Sequence, residues 1–154
     1  MSERSARVER ALDWVVRLGL AGMFAYAGAT KLGSAAELAR DIVNYRVVPE
    51  PVAAWGSLFL PVLELVLAAG LCIPGHVRGA AALGAGLLVV FAAAMAQAKL
   101  RGIDLACGCF GGNSQVSWFK VAVDLALAGV AAWLVVRHSS RPARLAIESG
   151  GAKA

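Results

Sequence analysis

The chain has 154 residues and a net charge of +5, and 59% of its residues are hydrophobic while 16% are charged. The length suits one domain, but this composition and a mean hydropathy of +0.68 lie outside the range of soluble globular domains. The sequence therefore predicts an all-α, polytopic membrane protein. Its basic residues gather at the ends of apolar runs, where they set helix orientation, so no nucleic-acid partner is expected.

The first apolar run covers residues 11–30 and is long enough to cross about 30 Å of hydrocarbon. A polar tail, residues 1–10, precedes it. A secretory signal peptide is the alternative, because Ala25-Tyr26-Ala27 has the small-x-small pattern of a cleavage site. Asp13 and Arg17 interrupt the apolar core that such a peptide needs, so we expect the segment to remain as a membrane span.

A short helix lying along the membrane surface is predicted over residues 34–48. Ser34 and Glu37 have the spacing of a capping box, and Pro49 ends the segment. Its side chains divide at helical spacing into an apolar face and a charged face, which suits an interfacial helix. The apolar face comprises Leu38, Ile42 and Tyr45, and the charged face Arg40, Asp41 and Arg46. A polar loop is the alternative.

Three further spans follow, which gives a four-transmembrane-helix bundle with one interfacial helix after the first span. The second covers residues 52–73, is interrupted by Pro61 and carries Glu64 near its centre. The third, residues 79–100, is rich in alanine and glycine, which let helix backbones approach closely. The fourth covers residues 116–136. The predicted transmembrane domain is then 11–137, between two cytoplasmic tails, 1–10 and 138–154.

Two cysteines one residue apart, Cys107 and Cys109, lie in a glycine-rich polar insert between the last two spans. An extended two-residue step is about 6.5–7 Å, the upper limit for a disulfide, so pairing requires a tight bend that Gly108 allows. Such a disulfide is strained and exchanges easily, which suits a relay. A metal half-site is the alternative, but two ligands are too few for a closed zinc site. The other candidate ligands are distant in sequence: Cys72, His76 and His138.

The basic residues favour an orientation with both termini in the cytoplasm, in a bacterial plasma membrane. Four spans place eight basic residues on the side of the termini and six on the other side. Cys107 and Cys109 then lie on the outer, oxidising side. Cys72 falls at the inner end of its span, where we expect a small buried apolar residue. The eight are Arg4, Arg7, Arg10, Arg78, Arg137, Arg141, Arg144 and Lys153; the six are Lys31, Arg40, Arg46, Lys99, Arg101 and Lys120.

Three ionisable residues inside the predicted spans need partners, since a charge in hydrocarbon costs several kcal/mol. Arg17 and Glu64 lie at roughly 9 and 14 Å from the inner face at 1.5 Å per residue, so they are candidates for a pair. Asp124 lies nearer the cysteine side. These charges indicate either a proton path or quinone-facing polar site, or a set of ion pairs that fixes helix register. The candidate partners of Asp124 are Lys31, Lys99 and Lys120.

The chain resembles the MauE branch of the DoxX-like membrane proteins. The specific motif is Cys107-Gly108-Cys109-Phe110-Gly111; a looser likeness covers Arg17 and Gly19, then Ala27-Gly28-Ala29-Thr30-Lys31-Leu32, then Leu60-Pro61-x-x-Glu64. The resemblance extends from residue 10 to about residue 137. It implies a four-helix membrane protein that works with a thioredoxin-like partner, MauD, in forming the disulfides of the methylamine dehydrogenase small subunit. It also implies a cysteine pair at Cys107 and Cys109, and membrane charge and turn positions at Lys31, Pro61 and Glu64.

The predicted function is thiol–disulfide exchange between the Cys107/Cys109 pair and an extracytoplasmic thioredoxin-fold partner. Nearby basic side chains would favour the thiolate: Lys99, Arg101 and Lys120. A quinone-coupled thiol oxidoreductase is the second hypothesis, with quinone as its cofactor, although such enzymes usually relay electrons through a second cysteine pair that this chain lacks. A non-redox assembly scaffold or small-solute carrier is the third.

Overall fold

The computed structural model describes residues 3–46, 48–102 and 117–139. These residues form five α-helices and no strand, which confirms the predicted all-α class. Cys107, Cys109 and residues 140–154 of the C-terminal tail lie outside the described residues. The helices are α1 (Glu3–Leu32), α2 (Ala35–Asn44), α3 (Glu50–Cys72), α4 (Val77–Leu100) and α5 (Trp118–Ser139).

The four long helices alternate in direction and pack as two antiparallel pairs, α1 with α3 and α4 with α5, joined through α3 and α4. Val77 near the start of α4 shares a buried cluster with Leu134 near the end of α5. Met95 near the end of α4 shares another with Val121. We call the end of the bundle that holds the start of α1 and the end of α5 the tail end. The opposite end, where α4 ends and α5 begins, is the loop end.

Three of the described helices, α3, α4 and α5, are long and apolar enough to cross a membrane. Their bounds differ from the predicted spans by a few residues. The first helix has 30 residues, which is long enough to span a membrane, but it is less apolar than these three helices because charged residues recur along it. It begins at Glu3, within the predicted polar tail.

The prediction that Pro61 interrupts the second span is wrong, because α3 runs unbroken through this residue. Pro61 is fully buried, and its carbonyl oxygen faces Gly28 of α1. A Cβ atom on Gly28 would stand 2.8 Å from that oxygen and 3.0 Å from Leu65 Cγ. Glycine at position 28 therefore allows α1 to pack closely against the middle of α3.

The second helix confirms the predicted short helix but not its capping box. Ser34 makes no side-chain bond to the start of α2; its hydroxyl donates instead to Thr30 O at 3.2 Å, in the last turn of α1. Leu38 is buried, as the predicted apolar face requires. On the charged face, partial burial raises the pKa of the Asp41 carboxyl above its ordinary value, and the nearby Glu37 raises it further.

Candidate functional site

The middle of the bundle contains a buried ion pair between Lys31 of α1 and Glu64 of α3. Lys31 Nζ donates to Glu64 Oε1, and the two side chains are 4% and 2% exposed. The ammonium group also lies 5.3 Å from the centroid of the Phe91 ring of α4. Both charges are thus withdrawn from lipid, and each compensates the other in a region of low dielectric constant.

A small cavity adjoins this pair at the point where α1, α3, α4 and α5 meet. Lys31, Glu64 and Asp124 line it together with apolar side chains of α1 and α4. The cavity has a volume of about 20 Å³, which is enough for one water molecule. We refer to these three polar residues and their cavity as the Glu64 site. Three of the four predicted intramembrane polar residues therefore meet in one place.

The fourth, Arg17, lies elsewhere, and the predicted Arg17–Glu64 pair is wrong. Arg17 Nε donates to Leu71 O at 2.8 Å and its Nη2 to Cys72 O at 3.1 Å. These are carbonyls of the last turn of α3, which lack partners within the helix. A cation there also favours the negative end of the helix dipole. Arg17 thus ties α1 to the end of α3.

Asp13 is the acceptor at the centre of a second charged group, which sequence reasoning missed. Its carboxylate lies 3.8 Å from Arg17 Nη1, 3.3 Å from Arg137 Nε and 3.0 Å from His138 Nε2. We call these four residues the Asp13 cluster. It joins α1 to α5 at the tail end. The signal in the sequence was the i, i+4 spacing of Asp13 and Arg17, which places them on one helix face.

Cys72 was predicted to be buried, and this is wrong: it is exposed at the end of α3. Its neighbour Leu71 is fully buried, and successive helical residues point about 100° apart, so Cys72 faces outward. Cys107 and Cys109, the predicted reactive pair, lie outside the described residues. Their segment connects α4 to α5 in the chain, and both of these helix ends lie at the loop end of the bundle.

The cavity of the Glu64 site has room for about one water molecule, far below the roughly 300–1,000 Å³ of pockets that take drug-sized ligands. Within 3–46, 48–102 and 117–139, no three His, Cys, Asp or Glu side chains are grouped so as to hold a metal ion. The Glu64 site thus offers a polar cavity for a very small ligand.

Comparison with known proteins places the chain in a family. The family model described as "Methylamine utilisation protein MauE" matches residues 9–137. Among curated proteins, the methylamine utilization protein MauE of Paracoccus denitrificans is 39% identical over 121 residues, which cover 77% of this chain and 65% of that protein. The chain thus spans slightly less than two thirds of that relative's length.

Two further relatives carry the same name. MauE of Paracoccus versutus is 38% identical over 80% of this chain and 68% of its own length. MauE of Methylorubrum extorquens is 38% identical over 86% of this chain and 75% of its own length. No solved structure matches the chain. A family match over most of the chain, with relatives at this level of identity, shows that the chain belongs to the MauE family of methylamine utilisation proteins.

Proposed function

We propose that this protein is a membrane-embedded thiol–disulfide relay whose Cys107/Cys109 pair exchanges with a thioredoxin-like partner outside the cytoplasm. The observation that carries the proposal is the position of the pair in the chain. It lies between α4, which ends at Leu100, and α5, which begins at Trp118, and both helix ends belong to the loop end. The two helix ends that flank the cysteine pair in the chain therefore lie at the same end of the bundle.

We infer that α1 is a fourth membrane span. Its charged residues within the bundle, Asp13, Arg17 and Lys31, are at most 4% exposed. All three have partners inside the bundle. Its outward face is apolar over the same length, from Leu12 to Leu32. Lipid thus meets an apolar surface, which is the condition for a spanning helix.

Four spans put both termini on the same side as the turn between α3 and α4. With Lys31 inside the bundle, the distribution of the remaining basic residues is eight to five and favours the cytoplasm for that side. The tail end then faces the cytoplasm of a bacterial cell and the loop end faces the oxidising exterior. Disulfides persist in that environment, whereas cytoplasmic thiols are kept reduced.

The exchange requires only the two cysteines and the partner's cysteine pair. A thiolate of this chain attacks the partner's disulfide, forming a mixed disulfide and releasing one partner thiolate. The second cysteine then attacks the mixed disulfide, which leaves Cys107–Cys109 oxidised and the partner reduced with two thiols; the reverse sequence oxidises the partner. Lys99 near the end of α4 and Lys120 at the start of α5 place positive charge beside both ends of the cysteine segment, which favours the thiolate.

The client of the relay is proposed from the family alone. The relatives are named for methylamine utilisation. A disulfide-rich enzyme of that metabolism, methylamine dehydrogenase, is the proposed client, with a MauD-like protein as the thioredoxin-fold intermediary. The relay and the client are separable, because exchange with a partner can be measured without any client enzyme.

The relay is tested with cysteine variants in cells that contain the natural partner. Cys107→Ser and Cys109→Ser should each abolish function, and one of them should accumulate a mixed disulfide on non-reducing gels because its resolving thiol is absent. Cys72→Ser is the matched control and should keep function. Full function of the Cys107→Ser/Cys109→Ser double variant would refute the relay and favour an assembly scaffold.

A further inference from the structure

Glu64 has a buried oxygen that no donor among the described residues satisfies. Oε1 accepts from Lys31, but Oε2 is buried and has no hydrogen-bond partner among the residues that the structure describes. Leaving a buried acceptor unsatisfied costs about 1–3 kcal/mol, and more for a charged group. Buried polar atoms of native proteins are therefore almost always bonded, to protein or to ordered water.

The cavity beside this oxygen has the size and the polar lining of a water site. Its room of about 20 Å³ exceeds the ~10–15 Å³ that one water needs, and a buried water typically makes about three hydrogen bonds. The ammonium of Lys31 has three donors, of which Glu64 Oε1 takes one. Asp124 also lines the cavity. A carboxylate accepts up to about four bonds, so Asp124 has capacity for water alongside its other contacts.

We propose that this cavity binds one water molecule, which accepts a hydrogen bond from Lys31 and bridges Glu64 Oε2 and Asp124, and that the two carboxyl groups exchange a proton through it. When one carboxyl is protonated, it donates to the water, and the water donates to the other, ionised carboxyl. In the transfer, one carboxyl O–H bond breaks as its proton joins the water, and a different proton of the water forms an O–H bond on the other carboxylate. The net charge is unchanged, and no oxidant or further reactant is consumed.

The charged residues that line the cavity come from three helices. Lys31 faces the cavity from α1, Glu64 from α3 and Asp124 from α5, whereas the residues of α4 that line it are Leu88 and Phe91. No side chain of α2 is part of the lining. Because no cysteine takes part, the site is independent of the proposed relay, and either can fail without the other.

Water binding is tested by solid-state NMR of the protein in lipid bilayers with ¹³C-labelled glutamate and aspartate. Magnetisation transferred from water protons should reach the Glu64 side-chain carboxyl carbon, although this residue is 1% exposed. The resonance is identified in the unaltered protein by its dipolar coupling to ¹⁵N-labelled Lys31 Nζ, so no variant has to fold for the assignment. Absence of transfer to the identified Glu64 resonance would overturn the proposal.

Proton exchange is tested by following both carboxyl resonances as the pH is changed. Two carboxyl groups that share one proton titrate as a pair, so the Glu64 and Asp124 signals should move together with common midpoints. In Asp124→Asn the common transition should be lost and the Glu64 midpoint should change by about one pH unit or more. Glu50→Gln, at the exposed start of α3, is the control and should leave both signals unchanged. Separate titrations, or a Glu64 signal unaffected by Asp124→Asn, would refute the exchange.

A cavity-filling variant checks that the water occupies this cavity. Ala27 lines it and is 5% exposed, so Ala27→Val places two methyl groups in the space assigned to the water while retaining all three charged groups. Water-to-Glu64 transfer should then be lost. Unchanged transfer in this variant would place the water elsewhere and overturn the assignment of the cavity.

Discussion

Removing either member of the Lys31–Glu64 pair should destabilise the protein far more than removing both. The two side chains are 4% and 2% exposed, so each single substitution leaves the other charged side chain inside the bundle without its ion-pair partner. Such changes cost about 3–5 kcal/mol of unfolding free energy. Lys31→Met and Glu64→Leu keep most of the side-chain volume and remove the charge, so loss of packing contributes little.

The double variant distinguishes a coupled pair from two residues that contribute independently to the free energy of unfolding. Independent effects would add to about 6–10 kcal/mol. Because the double variant has no uncompensated member of the pair, we expect a loss below about 2 kcal/mol. The two single variants should also differ: after Glu64→Leu the charged residues that line the cavity are one basic and one acidic residue, Lys31 and Asp124, whereas after Lys31→Met both are acidic. Lys31→Met should therefore cost more.

The measurement is reversible unfolding by SDS in mixed micelles, followed by far-ultraviolet circular dichroism. Glu50→Leu is the matched control on the same helix, at its exposed first residue, and should change the free energy by about 0.5 kcal/mol or less. Additive losses in the double variant would show that Lys31 and Glu64 do not stabilise one another and would refute the reasoning from their contact.

Three further predictions concern single positions. Gly28→Ala should destabilise the protein by about 1–3 kcal/mol in the same assay, because the added Cβ would stand 2.8 Å from a backbone oxygen of α3. Gly22→Ala is the control: a Cβ added there meets no atom within 4 Å, so the change should be neutral or stabilising by up to about 1 kcal/mol. Arg17→Leu should cost about 1–3 kcal/mol, since it removes the donor to the buried Leu71 carbonyl and one of the cations beside Asp13, whereas Arg10→Leu at an exposed position should cost little. In a variant whose single cysteine is Cys72, a membrane-impermeant maleimide should label intact cells only after permeabilisation; labelling before it would reverse the proposed orientation.

The apolar helices were predictable from the sequence because long apolar runs are local signals. The predicted spans 52–73 and 79–100 match α3 and α4 within two residues at each end. The predicted capping box failed for a local reason as well. Only Gly33 separates Ser34 from α1, and the Ser34 N–H still donates to Lys31 O at 3.1 Å. The serine therefore completes the preceding helix.

Partners across the bundle were less predictable, since depth along a helix does not fix the direction in which a side chain points. Depth alone favoured an Arg17–Glu64 pair. In the structure Arg17 meets the end of α3. Lys31, placed by sequence at the outer surface, reaches inward to Glu64. The missed signal was the helix face on which each residue lies. Steps of seven, four and three residues place four buried residues on one face of α1: Arg17, Phe24, Gly28 and Lys31.

The inward charges of α1 have a consequence for how the protein enters the membrane. At the centre of an isolated helix, each Asp, Lys or Arg opposes insertion into the membrane by about 2.5–3.5 kcal/mol. The groups that compensate Lys31 and Arg17 of α1 lie on α3, which is synthesised later: Glu64 and the carbonyls at the end of α3. The first helix is therefore a poor substrate for independent insertion during synthesis. A chain truncated before α3 should remain at the membrane surface, and α1 should become transmembrane only when α3 accompanies it.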